Sequence, residues 1–143
     1  MSEFYQYDPQ QMTCSFKGEN ITGFAEGTFI EIERNEDAYT VYVGATGDVT
    51  RTRSRNRTGK ATLTLMAQAP SNDSLMDIHM DDEQFGDGVG PLLIKDLNGL
   101  TVARAAEAWV TKVPKVERGK EAGTSQWVLE CAVIIIEARG NVV

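Results

Sequence analysis

Two neighbouring stretches of this chain place charge at every second position. Thr28-Phe29-Ile30-Glu31-Ile32-Glu33-Arg34 alternates acids with apolar residues, and Thr50-Arg51-Thr52-Arg53-Ser54-Arg55 sets arginines in the same rhythm. Successive strand side chains point to opposite faces, so each stretch builds a single-sign charged row on one side of a sheet. Such faces suit assembly better than catalysis.

The surrounding sequence extends the strand pattern. Met12 to Phe16 alternates, Lys17 to Asn20 reads as a turn, and Ile21 to Phe24 resumes before the acidic strand. Ala38 to Val43 is a strand with Tyr39, Val41 and Val43 on one face, and Lys60 to Met66 puts Ala61, Leu63 and Leu65 on one face. Short turns join these segments, so the four consecutive strands are expected to pair as an antiparallel meander. The period then changes: from Pro70 to about Glu83 the spacing predicts a short amphipathic helix, with Ser71 as its cap and Asp73 in the first turn. Leu92 to Leu97 returns to strand. Asn98-Gly99 is a hairpin signal, because both central residues of a type I′ turn need positive φ. That signal makes Leu100 to Lys112 a strand, despite the helical propensity of Ala105 to Ala108. A polar loop from Pro114 to Ser125 precedes a strongly apolar strand from Trp127 to Ile136, expected to be central, and Arg139 to Val143 reads as a short tail. The fold class is mainly β, an antiparallel β-sandwich or half-barrel with one short α-helix, in a single domain spanning residues 1–143.

Composition narrows the function classes. A chain of 143 residues with 41% hydrophobic composition suffices for one core. The net charge of −7 argues against non-specific binding to nucleic acid or anionic membrane. The start carries no signal-peptide pattern and no stretch approaches a membrane span, which suggests cytoplasmic synthesis. Cys14 and Cys131, the only cysteines, are expected as buried free thiols.

No catalytic or cofactor set emerges. His79 is the only histidine, too little material for a triad or a histidine-cysteine metal site, and reads as a partly exposed helix histidine. Asp81, Asp82, Glu83 and Asp87 lack the ligand spacing of a calcium loop and read as a solvated helix end. Gly86, Gly88 and Gly90 follow a helix and precede a strand, the reverse of phosphate-binding loops, and read as a flexible connector. Arg51, Arg53, Arg55 and Arg57 repel one another unless acids lie opposite; pairing with Glu31 and Glu33, within the sheet or across a subunit boundary, is the favoured arrangement over a solvated edge or a nucleic-acid site. No cofactor, metal or enzymatic activity is expected.

Six ordered segments carry a resemblance: Gly23-Phe-Ala-Glu-Gly-Thr-Phe, Ile32-Glu-Arg-Asn-Glu-Asp, Val49-Thr-Arg-Thr-Arg-Ser, Ser71-Asn-Asp, Gly88-Val-Gly-Pro-Leu-Leu-Ile-Lys-Asp-Leu and Ala106-Glu-Ala-Trp. In order and spacing the chain resembles the tail tube proteins of contractile-tailed bacteriophages over about residues 5 to 135. The resemblance implies hexameric rings stacked into the inner tail tube, with subunit strands joined in a continuous barrel. It also implies a surrounding sheath, contacts with tape measure, baseplate and tail terminator proteins, and DNA passing through the lumen without specific binding. Localisation would be the virion, after synthesis in the host cytoplasm, with no membrane partner. On that background Arg51, Arg53 and Arg55 are expected at subunit interfaces, Glu31 and Glu33 facing the lumen or a neighbour, and Lys115, Glu117, Arg118, Lys120 and Glu121 in a loop that mediates stacking or ring contacts. The alternatives are a tube protein of a type VI-like injection system, carrying effectors, and a nucleic-acid-binding β-module resting on the arginine strand alone.

Overall fold

The computed structural model describes residues 8–96 and 101–138. After a 3₁₀ turn at Pro9–Gln11 the chain forms β1 (Met12–Phe16), β2 (Glu19–Ile21), β3 (Ile30–Arg34), β4 (Tyr39–Val43), β5 (Val49–Arg53), β6 (Gly59–Met66), α1 (Ser71–Phe85), β7 (Gly90–Asp96), β8 (Thr101–Lys112), β9 (Thr124–Cys131) and β10 (Ile135–Ile136). Eight strands make one antiparallel sheet in the order β2-β1-β7-β8-β9-β6-β3, with β10 on β8, while β4 and β5 form a separate two-stranded ribbon. Mainly β architecture with one helix is thus what the sequence pattern predicts.

Alternation does what it promises in the body of the sheet. β6 buries Ala61, Leu63 and Leu65 completely, β7 buries Leu92 and Ile94, and β9 buries Trp127, Leu129 and Cys131, all in one core with Phe16 and Leu75 of α1. Burying each large aliphatic side chain is worth about 1.5–3 kcal/mol. The alanines of β8 obey the sheet rather than their helical propensity: Ala103, Ala105 and Ala108 are buried, and α1 packs across β8 and β2. Small side chains there leave room for the helix. The Asn98–Gly99 turn, Leu97 and the 139–143 tail lie outside the described residues; the strands flanking that turn pair antiparallel, Lys95 opposite Thr101.

Four expectations need correction. The meander forms only in part: β4 pairs antiparallel with β5 as expected, but β3 pairs with β6, Arg34 opposite Gly59 and Ile30 opposite Leu63, and the intervening residues 35–58 leave the sheet as the ribbon. The reason is that Ile30 and Ile32 pack against the core cluster, whereas β4 and β5 offer valines and a tyrosine opposite arginines and bury nothing. Ser71 does not cap α1. Its Oγ accepts the Thr22 N–H at 2.9 Å, which fastens the helix start to the end of β2, and Pro70 occupies the cap position without a side-chain bond. The Gly86–Gly90 connector is anchored at its glycines: Gly86 closes the helix in the left-handed conformation, φ 69°, the Gly88 N–H donates to Asp82 Oδ1 at 3.1 Å, and Gly88 and Gly90 are buried where an added methyl would meet Asp82 and Lys17. The Trp127–Ile136 strand is interrupted after Cys131, because the Ile134 N–H turns to Arg57 O at 3.0 Å; β10 then pairs with the same strand, Ile135 opposite Arg104, as β9 does with Cys131 opposite Ala108.

Candidate assembly interface

The stretch 35–58 is an arm. Its foot is held by a dense set of hydrogen bonds where β3 gives way to β6: Asn35 N–H donates to Thr58 O at 3.0 Å, and Asn35 Nδ2 donates to Thr58 Oγ1 at 2.8 Å and to Glu130 Oε1 at 2.6 Å. Asn56 Oδ1 accepts from the Thr58 N–H and hydroxyl at 3.0 and 2.6 Å. Gly59 admits no larger residue, since an added methyl would meet the Ile134 side chain and, at 2.7 Å, the Glu33 carbonyl oxygen. The foot is therefore fixed in direction.

Beyond the foot, the two strands of the arm bury no residue against the described part of the chain. Every residue of β4 and β5 is exposed; Val41 and Val49 are 66% accessible and Tyr42 is 70%. Register assigns the two faces. Tyr39 lies opposite Arg53, Val41 opposite Arg51 and Val43 opposite Val49, so one face is an apolar row crossed by two guanidinium groups, while Thr40, Tyr42, Thr50 and Thr52 share the other. Arg51 stacks on the Tyr39 ring, 4.1 Å from its centroid, a cation–π contact that stiffens the ribbon. The main-chain turn closes with Gly44 N–H to Asp48 O at 2.8 Å.

The arginine row does not pair with the acidic row inside the sheet. Arg51 and Arg53 face Val41 and Tyr39, Arg55 lies beyond the end of β5, and none of the three forms an ion pair among the described residues. Glu31 and Glu33 are exposed on β3, opposite Thr62 and Lys60. β3 and β2 are the two edges of the sheet, so their outer hydrogen-bonding groups face away from it, and charge on β3 is a usual guard against unspecific pairing. Alternation had already put Tyr39, Val41 and Val43 on one face; that this face is open rather than core has no signal in β4 alone, and only the arginines opposite it give a hint.

Strand direction places the other charged segment. β6 starts at the arm's foot and ends at Met66, whose strand partner Thr124 follows the 114–123 loop. At about 3.3 Å per residue the eight-residue strand separates arm and loop by about 23 Å, at opposite ends of the sheet. There Lys115 pairs with Glu117 at 2.9 Å, both exposed, and the Ala67 N–H donates to Gly123 O at 3.1 Å. Arg118, Lys120 and Glu121 line a cleft of about 400 Å³ with Ala67 and Gln68. Lys115, Glu117, Arg118, Lys120 and Glu121 are thus grouped together, but apart from Arg51, Arg53 and Arg55.

Chemical groups elsewhere are quiet. Burial pushes the Cys14 thiol up to about 12, and burial with the neighbouring Glu130 carboxylate pushes Cys131 up to about 11, so both remain protonated free thiols. His79 is a partly exposed residue of α1, as expected, and pairs through Nε2 with Glu83. Among the described residues no three or more His, Cys, Asp or Glu side chains gather where they could hold a metal ion, and no helix is long and apolar enough to cross a membrane.

Comparison with known proteins adds sequence and fold relatives. Residues 10–138 match the family of the bacteriophage PhiTE tail tube protein. The chain is 31% identical to the structural protein ORF10 of Pseudomonas phage KPP10, over 94% of this chain and 83% of that protein. Among solved structures it is similar in fold to the tube-terminating cap of the anti-feeding prophage, with TM-score 0.63 and 13% identity over 96% of this chain and 94% of that one. A chain of the sheath-tube complex of an extracellular contractile injection system, PVC, superposes with TM-score 0.61 and 14% identity over 94% and 93%.

Proposed function

Because this chain belongs to the bacteriophage PhiTE tail tube protein family, we propose that it builds the inner tube of a contractile tail as rings of six copies stacked end to end. It is a structural protein of the phage tail, and therefore of the virion. DNA leaves through the lumen, a sheath surrounds the tube, a terminator closes one end and a baseplate the other, and a tape measure protein occupies the interior during assembly. The subunit acts by shape and charge, without catalysis, and is made in the host cytoplasm.

The single observation that carries this reading is the arm: a two-stranded ribbon with a rigid foot and no buried residue. An isolated two-stranded hairpin is at best marginally stable in water, so a ribbon of Val, Tyr and Arg is expected to gain its support from another molecule. In this reading Arg51, Arg53 and Arg55 lie between subunits, and the Lys115–Glu121 loop makes ring or stacking contacts at the opposite end. Glu31 and Glu33 face the lumen or the neighbouring edge strand, where acids would repel DNA. Sequence-level likeness is to phage proteins, which favours a DNA-delivering tail over an effector-carrying injection system.

Electron microscopy of the purified protein over a concentration series tests this reading. Rings and uniform hollow tubes are the expected result; a protein that stays monomeric at every concentration, with or without sheared tube fragments as seeds, would overturn it.

A further inference from the structure

The arm's open face needs a partner that is both apolar and acidic, and one surface of this chain has that character. α1 contains five acidic residues and no lysine or arginine. Asp73, Asp77 and Asp81 follow one another at four-residue spacing, so they form a row on which like charges repel. Met76 and Met80 lie beside that row, 38% and 56% exposed, and none of the three aspartates is in an ion pair among the described residues. The core side of the helix is Leu75 and Ile78. Its outer side is therefore methionine interleaved with unneutralised carboxylate.

From these two faces we infer that the arm of one subunit docks along the outer side of α1 of a second copy, Val41, Val43 and Val49 on Met76 and Met80, and Arg51 and Arg53 on Asp77 and Asp81. Dimensions agree. Alternate strand residues such as Arg51 and Arg53 are spaced by about 6.6 Å, and helix residues one turn apart, such as Asp77 and Asp81, by about 6 Å. The five residues of β4 span about 13 Å, and the helix from Asp73 to Asp81 about 12 Å. Sign and polarity agree as well: arginines meet acids, and methionine is an adaptable surface for branched side chains. The arm leaves at the Gly59 end of β6; α1 starts just after the Met66 end, held there by Ser71 and Thr22, and runs back towards Gly90, which strand register places level with Gly59. A contact between two different surfaces of one chain is heterologous, and it either closes into a ring or repeats along an axis. It thus supplies a ring or stacking contact for the tube reading on which it rests.

Reciprocal charge reversal tests the docking. Arg51→Glu with Arg53→Glu, and separately Asp77→Lys with Asp81→Lys, should each raise the concentration at which tubes appear by roughly tenfold or more, while the four changes together restore tubes near the wild-type concentration. Because all four positions are exposed, an unchanged thermal midpoint certifies folding. As a second measurement, Val41→Cys with Met80→Cys should give an oxidised ladder of trimers and higher multiples in denaturing gels. If the helix reversal assembles like wild type while the arm reversal fails, or if tubes form without a ladder, the arm docks elsewhere and the tube reading stands. If wild-type protein forms no tubes, that reading fails and the docking with it.

Discussion

The β6–β9 pair and the β4–β5 ribbon are made by the same rule and reach opposite ends. Both are antiparallel and in regular register, yet β6 buries every second residue and β4 buries none. The difference lies in what stands opposite. Ala61 and Leu63 of β6 face Leu129 and Trp127 of β9, apolar on apolar, so the pair closes over a core. Val41 faces Arg51, and a guanidinium cannot be buried without a partner, so that face stays open until another molecule supplies one. Strand alternation therefore finds strands, whereas the composition of paired positions tells a core face from an interface.

The contrast can be broken most severely from the body. Leu63→Ala, at a position with no exposure, should cost about 2–5 kcal/mol in denaturant unfolding, whereas Val41→Ala should change stability by less than about 0.5 kcal/mol; equal losses would erase the distinction. Next comes the foot. Gly59→Ala should cost about 1–3 kcal/mol, read as a lower thermal midpoint, because the added methyl meets the Glu33 carbonyl; a neutral result would show the foot to be loose. Replacing residues 36–57 by a two-residue Asn-Gly turn would convert β3 and β6 into a direct hairpin. The shortened protein should keep its thermal midpoint to within a few degrees, because the excised ribbon buries nothing, yet form no tubes in electron microscopy. Arg53→Glu alone should weaken assembly and leave unfolding unchanged, and an unaltered tube yield would remove Arg53 from the interface.

The smallest effect concerns the thiols. Their folded pKa values lie above the ordinary 9.0, so the neutral form is favoured by folding. That contribution is complete below about pH 9 and is lost as the pH rises through 9 towards 11 or 12, so unfolding midpoints should fall with pH over that range. Both thiols should also resist alkylation in the native protein at pH 8, and fast labelling there would contradict their burial.

Much of the body was legible. The limits of β1, the end of β4, the buried face of β6, the helix and the strand character of Thr101 to Lys112 all follow from period and turn chemistry, which act over a few residues. The pairing of β3 with β6 was not legible, because short turns favour neighbours, and only competition for the core pulled Ile30 and Ile32 past the ribbon. The role of Ser71 was missed for a related reason: a residue suited to a local cap was taken by the distant Thr22 amide. Of the charged positions, the sequence marked the arginines as needing partners and left those either within the sheet or across a subunit boundary; register removes the first option by setting Val41 and Tyr39 opposite Arg51 and Arg53.

What the sequence alone determined is a strand-rich chain with one helix, an acidic balance, buried thiols and a family likeness, since all of these depend on residue identity and near neighbours. What only the tertiary structure decided is that residues 35–58 stand out as an arm with a fixed foot, at the opposite end of the sheet from the charged loop. Which strands share the core depends on contacts between residues far apart in the chain, and the segment left outside that core is the one free to meet another subunit.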